Sequence, residues 1–150
     1  MQDANPFVPS ARHRRAYRGA RSAVAQNIRL KRIYEPPSDE DGYRVLSTRY
    51  WPRGVPKSRV DEYTTKTAPS RALLREFKHE GLSWKEYVPR YLEEMSRPEA
   101  MNQIEQFATL AESKTITLMC ICEDERRCHR SLLKDRIIEA AVREPAHSPR

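Results

Sequence analysis

The hydrophobic and polar positions of this 150-residue chain follow two periods, one typical of strands and one typical of helices. Residues 28–34 begin with alternating apolar and basic side chains, which predicts a strand with one buried face. Turn-forming residues separate it from a second predicted strand at residues 43–48. The mostly apolar segment 115–121 predicts a buried strand. Residues 55–67 follow neither period and are expected to be irregular, with room for a short strand or turn.

Apolar residues at helical spacing predict four helices. The first follows the N-cap Ser70, and the second follows Ser83, which begins a capping box. Pro89 lies inside the second pattern and predicts a kink or a later start. The third helix is expected to begin at Pro98, and the fourth to run from about Cys128 to residue 142. Strands and helices in this order predict a single α/β domain with a small, mostly parallel sheet flanked by helices.

Composition divides the chain into a central domain and two tails. Residues 1–27 contain five arginines and one acid, with little apolar periodicity, which predicts a basic tail. This tail could contact nucleic acid, serve as an organelle presequence, or be a solvated extension. Residues 28–142 hold the predicted domain, and 143–150 form a polar C-terminal tail. The net charge of +7 permits binding of an anion such as nucleic acid or a phosphorylated metabolite.

Cysteine usage and hydropathy indicate the cellular setting. The chain has three cysteines, all within nine residues of one another, which does not resemble a secreted disulfide framework. A reducing, cytoplasmic setting fits better. No apolar run is long enough to span a bilayer, and the N-terminus has no apolar signal core, so no membrane partner is expected.

The cysteines mark the most promising chemistry, because a thiol at the end of a buried strand would face the start of a helix. Unpaired N–H groups at a helix N-terminus favour anions, including a thiolate. Cys128 is therefore the candidate nucleophile or redox thiol, His129 an acid/base or orienting group, and Arg130 a donor to substrate. The preceding loop matches the C-x4-R and C-x5-R spacings of rhodanese and cysteine-phosphatase loops, but it has three carboxylates and no glycine. Those carboxylates would repel an anion, which favours Cys128 over Cys120 or Cys122.

Two other interpretations of the same residues remain open. The pattern C-x-C-x5-C-H offers three sulfurs and one imidazole from Cys120, Cys122, Cys128 and His129, a soft set suited to zinc or iron. Alternatively, Cys120 is a small core residue and the other cysteines have no chemical role.

A second candidate segment follows the second predicted strand, where two arginines flank a tryptophan. Arg49 and Arg53 could hold a carboxylate or phosphate by bidentate hydrogen bonds, with Trp51 as a wall of the site. Alternatively, Trp51 packs on the core and the arginines are solvated. A shared site requires this segment and the Cys128 region to meet at one edge of the sheet.

Four segments, in order, carry a resemblance to a known family: Lys31-Arg-Ile-Tyr-Glu-Pro-Pro-Ser, Asp41-Gly-Tyr-Arg-Val-Leu, Trp51-Pro-Arg-Gly and Cys128-His-Arg-Ser-Leu-Leu. On these motifs the chain resembles the DUF488 family, of which the YeaO-like proteins are a branch, from about Ile28 to Ala141. The resemblance implies a small α/β domain in a cytoplasmic, mostly prokaryotic protein, without a settled activity. Carried over by motif, the site positions would be Arg49, Trp51, Arg53, Cys128, His129 and Arg130.

Three functional hypotheses follow. The first is a thiol-dependent enzyme or redox protein that acts on a small anionic substrate. The second is a nucleic-acid-binding accessory protein that uses the basic tail and the tryptophan segment, and the third is a Cys/His metal-binding module. The sequence specifies no cofactor and no oligomeric state.

Overall fold

Within residues 23–142, four short strands build a sheet in which every pairing is parallel. The computed structural model describes residue 19 and residues 23–142. Its strands are β1 (Ile28–Arg32), β2 (Tyr43–Ser47), β3 (Glu62–Thr64) and β4 (Ile116–Cys120). Their order across the sheet is β1-β4-β2-β3. The predicted parallel α/β fold is confirmed, and the segment expected to be irregular supplies the edge strand β3.

The strand predicted to be buried, β4, lies between β1 and β2, and all five of its residues are buried. Ile116 pairs with Ile28 on one side and with Tyr43 on the other. Because the strands are parallel, their carboxyl ends meet at one edge of the sheet. That edge brings together Ser47 from β2 and Cys120 from β4, which are 73 positions apart in the chain.

Four helices cover the sheet: α1 (Arg71–His79), α2 (Trp84–Glu94), α3 (Pro98–Leu110) and α4 (His129–Ala141); residues 23–27 are also helical. The predicted caps are confirmed, since Ser70 accepts a hydrogen bond from the Leu73 N–H and Ser83 forms its capping box. The later start suggested for α2 is wrong. The capping box fixes the first turn at Trp84, and the helix continues through Pro89.

In the described part of the chain, apolar side chains form two separate clusters. The larger lies between the helices and the sheet and includes Tyr91, Phe107 and Leu118. The smaller contains Ile33, Leu46, Val55 and Met119, with Trp51 and Val60 packed against it. Within the part of the chain that the structure describes, no helix is long and apolar enough to cross a membrane.

A buried carboxylate holds the loop between β1 and β2. Asp41 accepts hydrogen bonds from the Lys31 ammonium at 2.9 Å and from the Ser38 N–H at 2.9 Å, and Arg44 lies 3.7 Å away. Burial opposes ionisation, but these donors outweigh it and lower the pKa of Asp41. The next residue, Gly42, has a positive φ of 63° and packs against the Thr115 carbonyl, where a side chain would clash.

The two predicted tails fall almost entirely outside the described residues, which exclude 1–18, 20–22 and 143–150. Their proposed boundaries and roles therefore stay predictions.

Candidate functional site

A cavity of about 600 Å³ opens at the carboxyl edge of the sheet. Its walls come from the ends of β2 and β4, one face of α1, Tyr87 of α2 and the start of α4. The residues that line it are Thr48, Arg49, Tyr50, Pro69, Arg71, Leu74, Arg75, Phe77, Lys78, His79, Tyr87, Cys120, Ile121, Cys122, Arg127, Cys128 and His129. The position agrees with the general rule that open parallel sheets bind ligands at the carboxyl ends of their strands.

Two buried sulfurs lie in contact at the inner end of this cavity. Cys128 is the N-cap residue of α4, and its Sγ is 3.2 Å from the Sγ of Cys120, the last residue of β4. Each residue is only 2% exposed. A hydrogen bond donated by the Cys120 thiol lowers the pKa of Cys128 far below its ordinary value. The neighbouring sulfurs of Cys122 and Cys128 raise the pKa of Cys120, so Cys120 keeps its proton. Cys128 is therefore the thiolate of the pair.

His129 presents one ring nitrogen to the thiolate. Its Nε2 is 2.7 Å from the Ser47 carbonyl oxygen, and since a carbonyl only accepts hydrogen bonds, Nε2 carries the proton. Burial lowers the pKa of His129 from 6.5 to about 4, so the ring is neutral at physiological pH. Its Nδ1 is then an unprotonated acceptor, 3.7 Å from the Cys128 Sγ. The ring can therefore accept a proton at Nδ1, next to the sulfur.

Arg130 is buried next to Cys128 but does not line the cavity. Its side chain is 2% exposed and donates to the Cys122 carbonyl at 2.7 Å, while its Nε has no hydrogen-bond partner within the described residues. The Arg130 backbone N–H and positive charge also lower the pKa of Cys128, although the sulfur makes no cap hydrogen bond. The sequence predicted that Arg130 contacts substrate, but the structure places it outside the cavity lining.

The cavity lining is strongly basic. Among the described residues, five lysine or arginine side chains line it, namely Arg49, Arg71, Arg75, Lys78 and Arg127, and no aspartate or glutamate does. Of these five, only Arg75 forms an ion pair within residues 23–142, with Glu80. Four uncompensated cations around a largely apolar wall make the cavity a favourable place for an anion.

The acidic loop that precedes Cys128 does not oppose this charge. Glu123 lies 3.7 Å from Arg32, and Asp124 accepts a hydrogen bond from the Arg126 N–H and begins a short 3-10 helix, Glu125–Arg127. None of the three carboxylates lines the cavity. The sequence predicted that these carboxylates repel an anion, but they do not face the cavity in which the anion would bind.

Only part of the tryptophan segment reaches the cavity that contains Cys128. Arg49 lines the same cavity as Cys128 and His129, and its guanidinium donates to the Pro69 and Thr65 carbonyls. Trp51 and Arg53 do not line it. The chain turns back after Arg49, so the Trp51 indole donates to the Val55 carbonyl at 2.9 Å and packs on the smaller apolar cluster. Arg53 is exposed, and its carbonyl accepts a hydrogen bond from Tyr34.

The cations of α1 were missed by the sequence analysis. Arg71, Arg75 and Lys78 are spaced at i, i+4 and i+7, so they share one helix face. Leu74 and Phe77, two apolar residues of the same helix, are half-buried and line the cavity. The basic spacing was a usable signal, but nothing in the sequence showed that this face meets the cysteines.

The metal alternative receives limited support. Among residues 23–142, donor atoms of Cys120, Cys128 and His129 lie within 4.8 Å of one another and could hold an ion. Cys122, the expected fourth ligand, is outside this group, and its sulfur accepts a hydrogen bond from Lys78. Two sulfurs bound to a tetrahedral zinc at about 2.3 Å are separated by roughly 3.8 Å. The observed 3.2 Å suits a shared proton better.

The fold and site define a small parallel α/β protein with a paired thiol in a basic cavity. The chain belongs to the DUF488 family, because the family model DUF488-N3a, described as the active DUF488-N3 subclade, matches residues 28–141. It is 32% identical over 111 residues to the uncharacterised protein YeaO of Escherichia coli K12, covering 73% of this chain and 95% of the relative. It is 30% identical over 108 residues to the uncharacterised protein Rv3073c of Mycobacterium tuberculosis H37Rv, covering 71% and 89%. No solved structure matches this chain significantly.

Proposed function

We propose that this protein is a thiol-dependent enzyme in which the Cys128 thiolate is the nucleophile toward a small anionic substrate. The observation that carries the proposal is that Cys128 lines a cavity to which residues 23–142 contribute five cations and no carboxylate. A thiolate rather than a thiol is the reactive form of cysteine, and a cationic cavity both stabilises it and attracts an anion.

Each neighbour of Cys128 has a distinct role. Cys120 donates its hydrogen bond to the sulfur and keeps the thiolate populated at neutral pH. When the sulfur forms a bond to the substrate, the leaving group needs a proton. The neutral His129 ring, held by the Ser47 carbonyl, can take up the Cys120 proton at Nδ1 and pass it to the leaving group.

The test compares two alkylating agents that differ in charge. Iodoacetamide is neutral and iodoacetate is anionic, and both label thiolates. At mildly acidic pH an ordinary thiol is almost fully protonated, so rapid labelling reports a lowered pKa. We expect one sulfur to react much faster than a model thiol, with a higher iodoacetate-to-iodoacetamide rate ratio than the model thiol shows. The fast reaction should disappear in Cys128→Ser. A labelling rate equal to that of the model thiol, or a fast reaction that survives in Cys128→Ser, would refute the proposal.

Two matched lysine substitutions test the role of the cavity charge. Lys78→Gln removes a cation that lines the cavity, and Lys114→Gln removes an exposed cation just before β4, at the opposite end of that strand. Lys78→Gln should lower the rate ratio roughly two-fold, since an exposed charge pair contributes about 0.2–1 kcal/mol. Lys114→Gln should leave the ratio unchanged. An equal effect of both substitutions would mean that overall charge, and not the cavity, attracts the reagent.

The other two functions have their own measurements. Nucleic-acid binding through the basic tail predicts affinity for mixed oligonucleotides that falls steeply with salt and is lost without residues 1–22. Val24 is buried in the larger apolar cluster, so this truncation stops before it. A metal-binding module predicts nearly one metal ion per purified chain by elemental analysis.

A further inference from the structure

We infer that Cys120 is the resolving thiol of Cys128, and that the substrate class is a small disulfide carrying carboxylates. This inference rests on the proposed function, because it needs Cys128 as the attacking sulfur. Cys120 would be a second reacting residue, and the substrate would have to be a molecule that can oxidise a thiol pair.

The contact between the sulfurs carries the inference. The Sγ atoms of Cys120 and Cys128 are 3.2 Å apart, and a disulfide requires about 2.05 Å. A closure of roughly 1.1 Å is small for an N-cap residue that is preceded by an exposed loop. Cys120 ends a central strand, whereas the segment leading into Cys128 is the short 3-10 helix Glu125–Arg127, in which no residue is buried. The Cys128 side is therefore the one that can move.

Cys122 is a poorer partner than Cys120. It is only half-buried, and Lys78 donates a hydrogen bond to its sulfur at 3.5 Å. Cys120 and Cys128 are equally buried, and their sulfurs lie in contact at 3.2 Å. A buried thiol whose nearest sulfur is the nucleophile is the arrangement expected of a resolving cysteine.

The thiol–disulfide exchange takes place in two steps. The Cys128 thiolate attacks one sulfur of the substrate R–S–S–R, forming a protein mixed disulfide and releasing one thiolate, RS⁻. The Cys120 sulfur then attacks the Cys128 sulfur of that mixed disulfide, forming the Cys120–Cys128 disulfide and releasing a second RS⁻. The Cys120 proton passes to the neutral His129 ring, which lies within 4.8 Å of both sulfurs, and from there to the leaving thiolate. The substrate disulfide gains the two electrons that the protein loses, and a low-molecular-weight thiol returns the pair to its reduced form by the reverse exchange.

The cavity defines the charge and shape of the substrate. Its cations are spread over three parts of the chain, with Arg49 after β2, Arg71, Arg75 and Lys78 on α1, and Arg127 before α4. A ligand with separated carboxylates could meet several of them at once. A volume of about 600 Å³ accommodates a molecule larger than an amino acid, with Phe77 and Tyr87 as an apolar wall.

The experiment treats the full-length reduced protein with three disulfides of different charge. Oxidised glutathione is anionic, 2-hydroxyethyl disulfide is neutral and cystamine is cationic. After an acid quench and alkylation of the remaining thiols, intact mass distinguishes a mixed disulfide from an internal disulfide, which has lost two hydrogen atoms. We expect the wild-type protein to form the internal disulfide, fastest with oxidised glutathione and slowest with cystamine. Cys120→Ala and Cys120→Ser should both accumulate the glutathione adduct, and Cys128→Ser should form neither product.

Four results would overturn the inference. Two are a lasting glutathione adduct on the wild-type protein and an internal disulfide in both Cys120 variants. The third is a lasting adduct in Cys122→Ser, because Cys122 would then be the resolving thiol. The fourth is an equal rate of reaction with oxidised glutathione and with cystamine. Circular dichroism of both Cys120 variants confirms that they fold. If iodoacetate labels Cys128 rapidly and yet no disulfide couples it to Cys120, the proposed function stands and this inference fails. If neither reagent reacts with Cys128, both fail.

Discussion

The hydrogen bond from Cys120 should set the pKa of Cys128, and two substitutions at one position can measure its contribution. Cys120→Ala removes the donor that lies 3.2 Å from the Cys128 sulfur. Cys120→Ser keeps a donor on a side chain of similar size. A hydrogen bond to an ionised group contributes about 1.5–3 kcal/mol. One pKa unit corresponds to about 1.36 kcal/mol, so Cys120→Ala should raise the pKa of Cys128 by roughly 1–2 units.

The assay is the pH dependence of iodoacetamide labelling of Cys128, checked by the ultraviolet absorbance of its thiolate. The inflection of the labelling curve should move to higher pH in Cys120→Ala and move by less than half as much in Cys120→Ser. If the inflection is the same in all three proteins, Cys120 does not stabilise the thiolate. An equal upward shift in both variants would assign the effect to packing rather than to the hydrogen bond.

Three further predictions concern the stability of the fold around the site. Asp41→Ala should lower the free energy of unfolding by about 3 kcal/mol in denaturant titrations at neutral pH, because it leaves the Lys31 ammonium half-buried without its carboxylate. This loss should begin to shrink as the pH falls below the ordinary pKa of 3.8, where the unfolded chain takes up the proton, and should level off below the lowered pKa of the folded carboxyl; a loss independent of pH would contradict the ion pair. The pKa of His129 is about 4 when folded and 6.5 ordinarily, so the unfolded chain binds its proton at higher pH. Wild-type stability should therefore fall between pH 6.5 and 4, more steeply than that of His129→Asn, and parallel curves would show that burial does not shift this pKa. Gly42→Ala should destabilise the fold by more than Gly54→Ala, because both glycines have positive φ but only the first would clash with a backbone carbonyl; equal thermal midpoints would refute this.

Local signals in the sequence were sufficient for most of the fold. The caps at Ser70 and Ser83 act within four residues, and both are seen where they were predicted. The apolar run that ends at Cys120 forms the central strand, and α4 begins directly after Cys128. These features depend on neighbouring residues, so a single sequence contains the information that determines them.

The site was harder to predict because it depends on contacts between distant segments. Trp51 and Arg53 were grouped with Arg49 because they are close in the chain, but the chain turns back after Arg49, so Trp51 packs on the smaller apolar cluster and Arg53 is exposed. Arg130 was grouped with His129 for the same reason. Successive helical residues point about 100° apart, and the Arg130 side chain reaches the Cys122 carbonyl instead of the cavity.

The Ser47 carbonyl and the basic face of α1 could not have been assigned to the site from sequence patterns. A backbone carbonyl has no sequence signature, and the acceptor for His129 lies 82 residues away. The α1 cations look like an ordinary solvated helix face until the helix is placed over the carboxyl edge of the sheet. The cavity is formed by tertiary packing, and its charge became visible only with the structure.

The most direct test of the account is a crystal structure of the protein after reaction with iodoacetate. We predict that the carboxymethyl group is on Cys128 and that its carboxylate lies within hydrogen-bonding distance of at least one cavity cation, such as Lys78 or Arg127. A carboxymethyl group on Cys122 alone, or a carboxylate on Cys128 directed away from every cavity cation, would contradict the proposed site.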